Sequence, residues 1–324
     1  MTPNATSTST STSTSASTSA STSTTSPGTP RPGGYLSDTS VRNICILPAL
    51  FLLITFNIFP LLASLGVSFT DFNPILTEAP RFNGIENYVA LLDSPRQEVW
   101  KAFTRTSILV LVTVGLQTLI GFGMAFLLRR KFRGRGLFTA ILLIPMMLSP
   151  AVMGSFWRYL FNADYGAVNW LLDTRWNWDG NSDRAFWAVV IAEVWMWTPF
   201  MMLLSLAGLS GIPKTLYEAA EVDRAGAWFS FRHITLPLAA PMVLLGVVFR
   251  AMDTFRLFDT AMVLNGNMEG QATTFVSVLL HARGFGGSRS LGEPTALAYM
   301  LLITSLAMAT LVLRYLDHIR GRRT

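Results

Sequence analysis

Four ionisable residues, Arg250, Asp253, Arg256 and Asp259, recur at every third position with alternating sign in an otherwise apolar stretch. On one continuous helix, successive steps of three drift about 60° around the axis, so neighbours can pair while the set winds over about half the circumference. Ionisable groups at membrane depth point to a solute or ion path. Four charges that neutralise one another at a membrane boundary are the plainer use of the same residues. Glu193, a single acid within 186–209, reads as a group hydrogen-bonded inside a helix bundle. A second polar concentration, YEAAEVDRAGAWFSFRHITLPLAAP at 217–241, places Glu218, Glu221, Asp223, Arg224, Arg232 and His233 between two apolar stretches.

Other chemistries lack their residues. His233, His281 and His318 are far apart and have no metal-ligand spacing such as H-E-x-x-H, so no metal site is expected; no G-x-S-x-G occurs, so no catalytic residue is assigned. The sequence has no G-x-x-x-x-G-K-[ST] phosphate loop, which places any ATP hydrolysis in another polypeptide. The single cysteine, Cys45, lies in an apolar run and reads as a buried, inert thiol. The net charge of +6 comes from short basic clusters flanking apolar runs, a membrane-topology pattern that argues against nucleic acid as a partner.

The elements that would position these groups follow from composition. Of 324 residues, 51% are hydrophobic and 14% charged, against about 25% charged in a soluble domain. The fold expected is all-α and integral to the lipid bilayer. A hydrocarbon core of about 30 Å needs about 20 apolar residues in a helix, and six windows qualify: 44–69, 106–128, 137–157, 186–209, about 237–264, and 294–313. Prolines at 48, 60, 145, 150 and 199 fall inside them, so kinked helices around a cavity are expected. Residues 1–40 are almost free of apolar side chains up to the Pro/Gly run and read as a disordered Ser/Thr-rich tail, leaving 41–324 as the membrane domain.

Orientation follows from the basic residues. With the amino terminus inside, fourteen Lys and Arg fall on inner segments and eight on outer ones, and the acid-free cluster RRKFRGR at 129–135 fixes its loop inside. Both termini and the 217–241 segment are then cytoplasmic. On the outer side, Leu91, Leu92, Val99 and Trp100 share a roughly helical spacing. Trp170, Trp176 and Trp178 lie near the boundary, either as interfacial aromatics or as a docking surface for an external partner.

Locally, SGIPKTLYEAAEVDRAG opens a short helix at Pro213 or at the capping-box pattern Thr215-x-x-Glu218 and closes near Gly226. A second short helix follows, and Pro237 begins the next span. Such a pair would expose its charges to water and turn Ala219, Ala220 and Ala225 toward something else. From its residues alone the segment could equally be a solvated connector.

Glu218-Ala219-Ala220, Asp223 and Ile234-Thr235-Leu236-Pro237, with their spacing, resemble the EAA loop of permease subunits of bacterial ABC importers, in the variant of the carbohydrate-uptake branch that includes maltose-type and glycerol-phosphate-type permeases. FNGIENY at 82–88, LLIPMMLSPAVMGSFWRYLFN after the basic loop, VWMWTPFMMLLSLAGL and FRLFDTAMVLNGN agree, in family order, from about residue 44 to the carboxyl end. The resemblance implies a type I importer permease fold of six transmembrane helices in the bacterial inner membrane. It implies a coupling loop at about 213–236 that docks on a cytosolic ATPase subunit through Glu218, Ala219, Ala220, Asp223, Arg224 and Gly226. It implies a path for a sugar, polyol or glycerol-phosphate-like solute lined by Trp197, Phe200, Met252, Asp253 and Arg256. The implied partners are a second homologous permease, two cytosolic ATP-binding subunits that hold ATP and Mg, and an extracytoplasmic solute-binding protein; this chain needs no cofactor. A secondary transporter or channel, working without ATP, is the alternative. One residue departs from the family pattern: Arg224 stands where glycine is usual, so either the turn moves to Gly226 or Arg224 takes another backbone geometry.

Overall fold

The computed structural model describes residues 38–74, 79–93, 98–130, 132–178, 183–265, 272–286 and 290–321. Residues 1–37, most of the expected tail, and the side chain of Cys45 lie outside the described residues. The chain falls into two compact units, Met1–Asn57 and Ile58–Thr324. The described part of the first is α1 (Asp38–Leu53), with Pro48 inside it, followed by a π-helical turn from Ile54. Helix α1 begins within the stretch 1–40 assigned to the tail. Leu47, Phe51 and Phe56 are exposed, and an apolar helix with no polar face requires lipid or protein around it.

The second unit holds α2 (Phe59–Ser68), α3 (Glu86–Leu92), α4 (Glu98–Leu128), α5 (Arg135–Leu143), α6 (Pro150–Leu160), α7 (Ala167–Leu171), α8 (Asp183–Ser210), α9 (Lys214–Val222), α10 (Ala227–Ser230), α11 (Leu236–Phe255), α12 (Asp259–Asn265), α13 (Val276–Phe285) and α14 (Gly292–Gly321). Among the described residues the β-type pairing is one isolated bridge, Thr70 to Phe82. Among the described residues, five stretches are long and apolar enough to cross a membrane: Ile46–Ser68, Glu98–Leu128, Asp183–Ser210, Ala227–Phe255 and Gly292–Leu311.

The sixth window, 137–157, is not a straight helix. Arg135–Met147 and Pro150–Leu160 meet at 96°. Pro145 cannot donate to the carbonyl four residues earlier, and the backbone tightens into a 3-10 turn over Ile144–Met147. Pro150 then disfavours the helical region for the residue before it, and Ser149 is extended at φ −67°, ψ 142°. The window 237–264 is also divided, because α11 stops at Phe255 and a separate short helix begins at Asp259. At its start, α11 continues backwards through a π-helical turn, Phe231–Thr235, into α10. The second short helix and the next span are therefore one continuous run rather than two elements divided at Pro237.

Helices α4, α8 and α11 form the heart of this unit, with α12 against α6 and with α2 and α13 against α14. Close approach of α4 to α8 depends on Gly121, where an added Cβ would lie 2.8 Å from the Met201 Cβ and 2.8 Å from the Met202 nitrogen. Small residues at such crossings let backbones meet where lipid supplies no hydrophobic drive. Among the described residues, buried apolar side chains form three clusters: Leu109, Met153, Phe161, Val189 and Met196; Leu91, Val99, Val110, Phe255 and Leu297; and Ala125, Leu128, Met202, Leu209 and Ala239.

Candidate functional site

Two polar constructions stand at different levels of α8. At its carboxyl end, Pro213 is the N-cap of α9 at φ −60°, ψ 136°, and no side chain caps the helix. The Pro213 start, rather than the Thr215 capping box, is therefore the one realised. The helix closes with Asp223 as C-cap, the Arg224 N–H donating to Glu221 O at 3.0 Å and the Ala225 N–H to Ala220 O at 2.8 Å. That pair of bonds is a Schellman closure, which requires a left-handed residue directly after the cap. Arg224 supplies it at φ 54°. Gly226 is extended, at φ −64° and ψ 157°, as the N-cap of α10. The turn thus stays at 224, and arginine adopts the conformation that glycine takes more cheaply.

Glu218, Ala219, Glu221, Val222, Asp223 and Arg224 are exposed, Ala225 is half-buried and Ala220 is buried. Of the two alanines expected at the partner contact, Ala220 faces the protein's own core and only Ala219 is open. Tyr217 packs against the cluster of Ala125, Leu128 and Leu209, and its hydroxyl pairs with the buried Thr235 Oγ1 at 2.9 Å. The Arg129 guanidinium lies 4.0 Å from the Phe126 ring centroid and 5.7 Å from that of Tyr217. These contacts seat α9 on the ends of α4 and α11.

Deeper in the bundle, Arg250 is 2% exposed and spends its guanidinium on four side chains. Its Nε donates to Gln117 Oε1 at 3.0 Å, one Nη to Glu193 Oε2 at 3.0 Å and to Thr254 Oγ1 at 2.8 Å, and the other Nη to Asp253. The cation also lies 4.4 Å from the centroid of Trp197. Glu193, itself 1% exposed, accepts from Thr260 Oγ1 at 3.0 Å, and Gln117 Nε2 donates to the Glu193 backbone carbonyl at 3.0 Å. The knot therefore ties α4, α8, α11 and α12 together. A charge at this depth is tolerated because each side-chain nitrogen of Arg250 and each carboxylate oxygen of Glu193 has at least one partner.

The ladder expected from the sequence is only half present. Arg250 and Asp253 pair on α11, but the helix ends before Arg256, whose N–H caps it by donating to Asp253 O at 3.1 Å, and Asp259 starts α12. Glu193 is satisfied inside the bundle. Trp197 and Phe200 meet edge to face at 6.4 Å. Trp197 touches Arg250, and Asp253, 55% exposed, carries the knot's polarity to its edge. Met252 is half-buried and Arg256 exposed. Gln117 and Arg129 were missed as site residues. Gln117 is the single side-chain amide within 106–128, a signal that could have paired it with the charges of the neighbouring spans.

In the segments expected to lie outside, Leu91 and Val99 are buried, whereas Leu92 and Trp100 are exposed. Trp178 is a core residue, stacked on Phe161 at 4.7 Å and donating to Asn169 Oδ1 at 2.9 Å. Trp170 is 82% exposed.

Apolar helices of spanning length that bury a charged knot, with a short polar helix seated on their ends, define a polytopic membrane protein of the permease class. The sequence matches the family of binding-protein-dependent transport system inner membrane components over residues 117–323, and the chain belongs to that family. It is 35% identical over 272 residues to the trehalose/maltose transport system permease protein MalF of Thermococcus litoralis, covering 83% of this chain and 91% of the relative. It is 30% identical over 283 residues to the sulfoquinovosyl glycerol transport system permease protein SmoG of Agrobacterium fabrum, covering 86% and 91%. The fold matches a bacterial ABC transporter involved in the import of the acidic polysaccharide alginate, with a TM-score of 0.73 and 19% identity over 86% of this chain and 96% of that one. The fold is thus that of a type I importer permease.

Proposed function

We propose that this chain is one of two permease subunits of an ATP-driven importer and forms half of the path for a sugar, polyol or glycerol-phosphate-like solute. The observation that carries the reading is α9 with its Schellman turn: a short helix fixed on one face by Tyr217 and Ala220, with Glu218, Asp223 and Arg224 exposed. Such an element can receive a soluble subunit and move as a body. ATP and Mg belong to two cytosolic subunits, so this chain has no catalytic role of its own. The names of the relatives support a carbohydrate-type solute.

In this reading Trp197 and Phe200 offer ring faces, and Asp253 and Arg256 hydrogen-bonding groups, to the solute, with Met252 beside them. The basic cluster at 129–135 supports a cytoplasmic side for α9 and both termini. An α-helix of 28 residues, α8, separates α9 from the segment carrying Trp170, which leaves that aromatic for an extracytoplasmic solute-binding protein. The test is to tag the chain in its native host, extract it in mild detergent and identify stoichiometric companions by mass spectrometry. An ATPase subunit and a second permease are expected. A chain that purifies alone and transports in liposomes without ATP would overturn the proposal.

A further inference from the structure

Helix α9 holds the rest of the molecule by very little. Of its nine residues only Ala220 is buried and only Tyr217 is half-buried, so two positions three apart carry the contact. Ala220 offers a single methyl group. Tyr217 offers a ring packed against the ends of α4 and α8, a face beneath Arg129, and a hydroxyl on Thr235. Thr235 belongs to the π-helical turn that leads into α11 and is 1% exposed. Isolated π-helical turns inside helices concentrate at functional positions.

Of the helices that Tyr217 meets, α4 and α11 both continue to the knot. From Arg129 back to Gln117 is about 18 Å along α4, and from Thr235 on to Arg250 about 22 Å along α11, at 1.5 Å per residue. At that far end Gln117 bonds Arg250 and the Glu193 carbonyl. The two helices are therefore fastened to each other twice, by an aromatic pin at one end and a charged clamp at the other. Neither fastening can slip gradually, because packed side chains and buried ion pairs have discrete arrangements rather than a continuum.

We infer that Tyr217 is a positioning residue that makes α9, the end of α4 and the start of α11 one rigid body, so that a displacement of α9 arrives undiminished at the Gln117–Arg250–Glu193 knot. The inference rests on the importer reading above and adds the residue that transmits the motion. The ring, with two rotatable bonds, is suited to this because it fills its seat at low entropic cost.

The test uses the assembled complex with spin labels on cysteines replacing Val222 and Phe249, both exposed, in a Cys45→Ser background. Pulsed electron-spin measurements give the distance between them without nucleotide and after trapping with Mg-ATP and vanadate. In the otherwise native chain the distance should be unchanged between the two states. With Tyr217→Leu it should shift or broaden by more than about 2 Å on trapping, the scale of helix displacements in switching proteins. Tyr217→Phe, which keeps the ring, should restore the narrow distribution. A distance that changes on trapping in the native chain, or one that stays fixed in Tyr217→Leu, would overturn the inference. If Tyr217→Leu does not assemble, Tyr217→Met, which fills the seat with a flexible chain in place of the ring, should broaden the distance, and an unchanged distance there counts against it. Failure to recover any ATPase subunit with the native chain is a separate result and counts against the importer reading itself.

Discussion

The α9–α10 segment and the Arg250 knot hold comparable sets of charges in opposite surroundings. In the first, Glu218, Glu221, Asp223 and Arg224 are exposed and remain solvated wherever water reaches them. In the second, Glu193 and Arg250 are 1% and 2% exposed, and each is held by side chains from other helices. Exposed charges cost little to keep and little to lose, so their use lies in what they can meet. Buried charges are costly when unpaired, so their use lies in the geometry they enforce. The same residue types are thus left open to an approaching partner in one place and fixed in register in the other.

That contrast can be broken most sharply at Arg250. Arg250→Ala strands Glu193 in the bundle and should cost about 3–5 kcal/mol, whereas the double variant Glu193→Gln/Arg250→Met should recover most of the loss. Thermal inactivation of the detergent-solubilised chain measures both, and equal losses in the single and double variants would deny that pairing is what matters. Glu218→Ala should leave thermal stability within about 0.5 kcal/mol of the native chain, as surface substitutions do, while the yield of co-purifying ATPase subunit falls. Native yield would remove Glu218 from the interface. For Arg224→Gly, which relieves a left-handed arginine, a stabilisation of the turn by about 1 kcal/mol is expected. Hydrogen exchange at the Ala225 amide, bonded to Ala220 O, should slow by about fivefold, and faster exchange would show that the arginine side chain, not the backbone, holds the turn.

The two regions also differ in how much of them could be read in advance. The α9 segment is local: Pro213, the Glu218-Ala219-Ala220 run and the Asp223–Gly226 closure lie within fourteen residues of sequence, and short-range hydrogen bonds complete it. A question left open there, where the turn falls, depended on whether Arg224 or Gly226 would take positive φ. Bonds to Glu221 and Ala220 settled it in favour of Arg224. The knot is not local. Its bonds join residues 57, 67 and 133 positions apart, and a three-residue charge rhythm suggested a single ladder where the helix in fact stops at Phe255. The 96° break likewise combined two legible prolines with an angle that no local pattern specified.

By itself the sequence determined a multi-pass helical membrane protein, because 20-residue apolar runs have no other stable state in lipid. It also determined a short polar helix closing near Gly226, because helix ends are decided by near neighbours. Only the tertiary structure decided which helix Arg250 would bind, that Gln117 would join it, that Trp178 would be core while Trp170 stayed exposed, and that Tyr217 would pin α9 to α4 and α11. Those outcomes depend on helix rotation and crossing, set by close contacts such as Gly121 against Met201, and such contacts do not exist until the helices are packed.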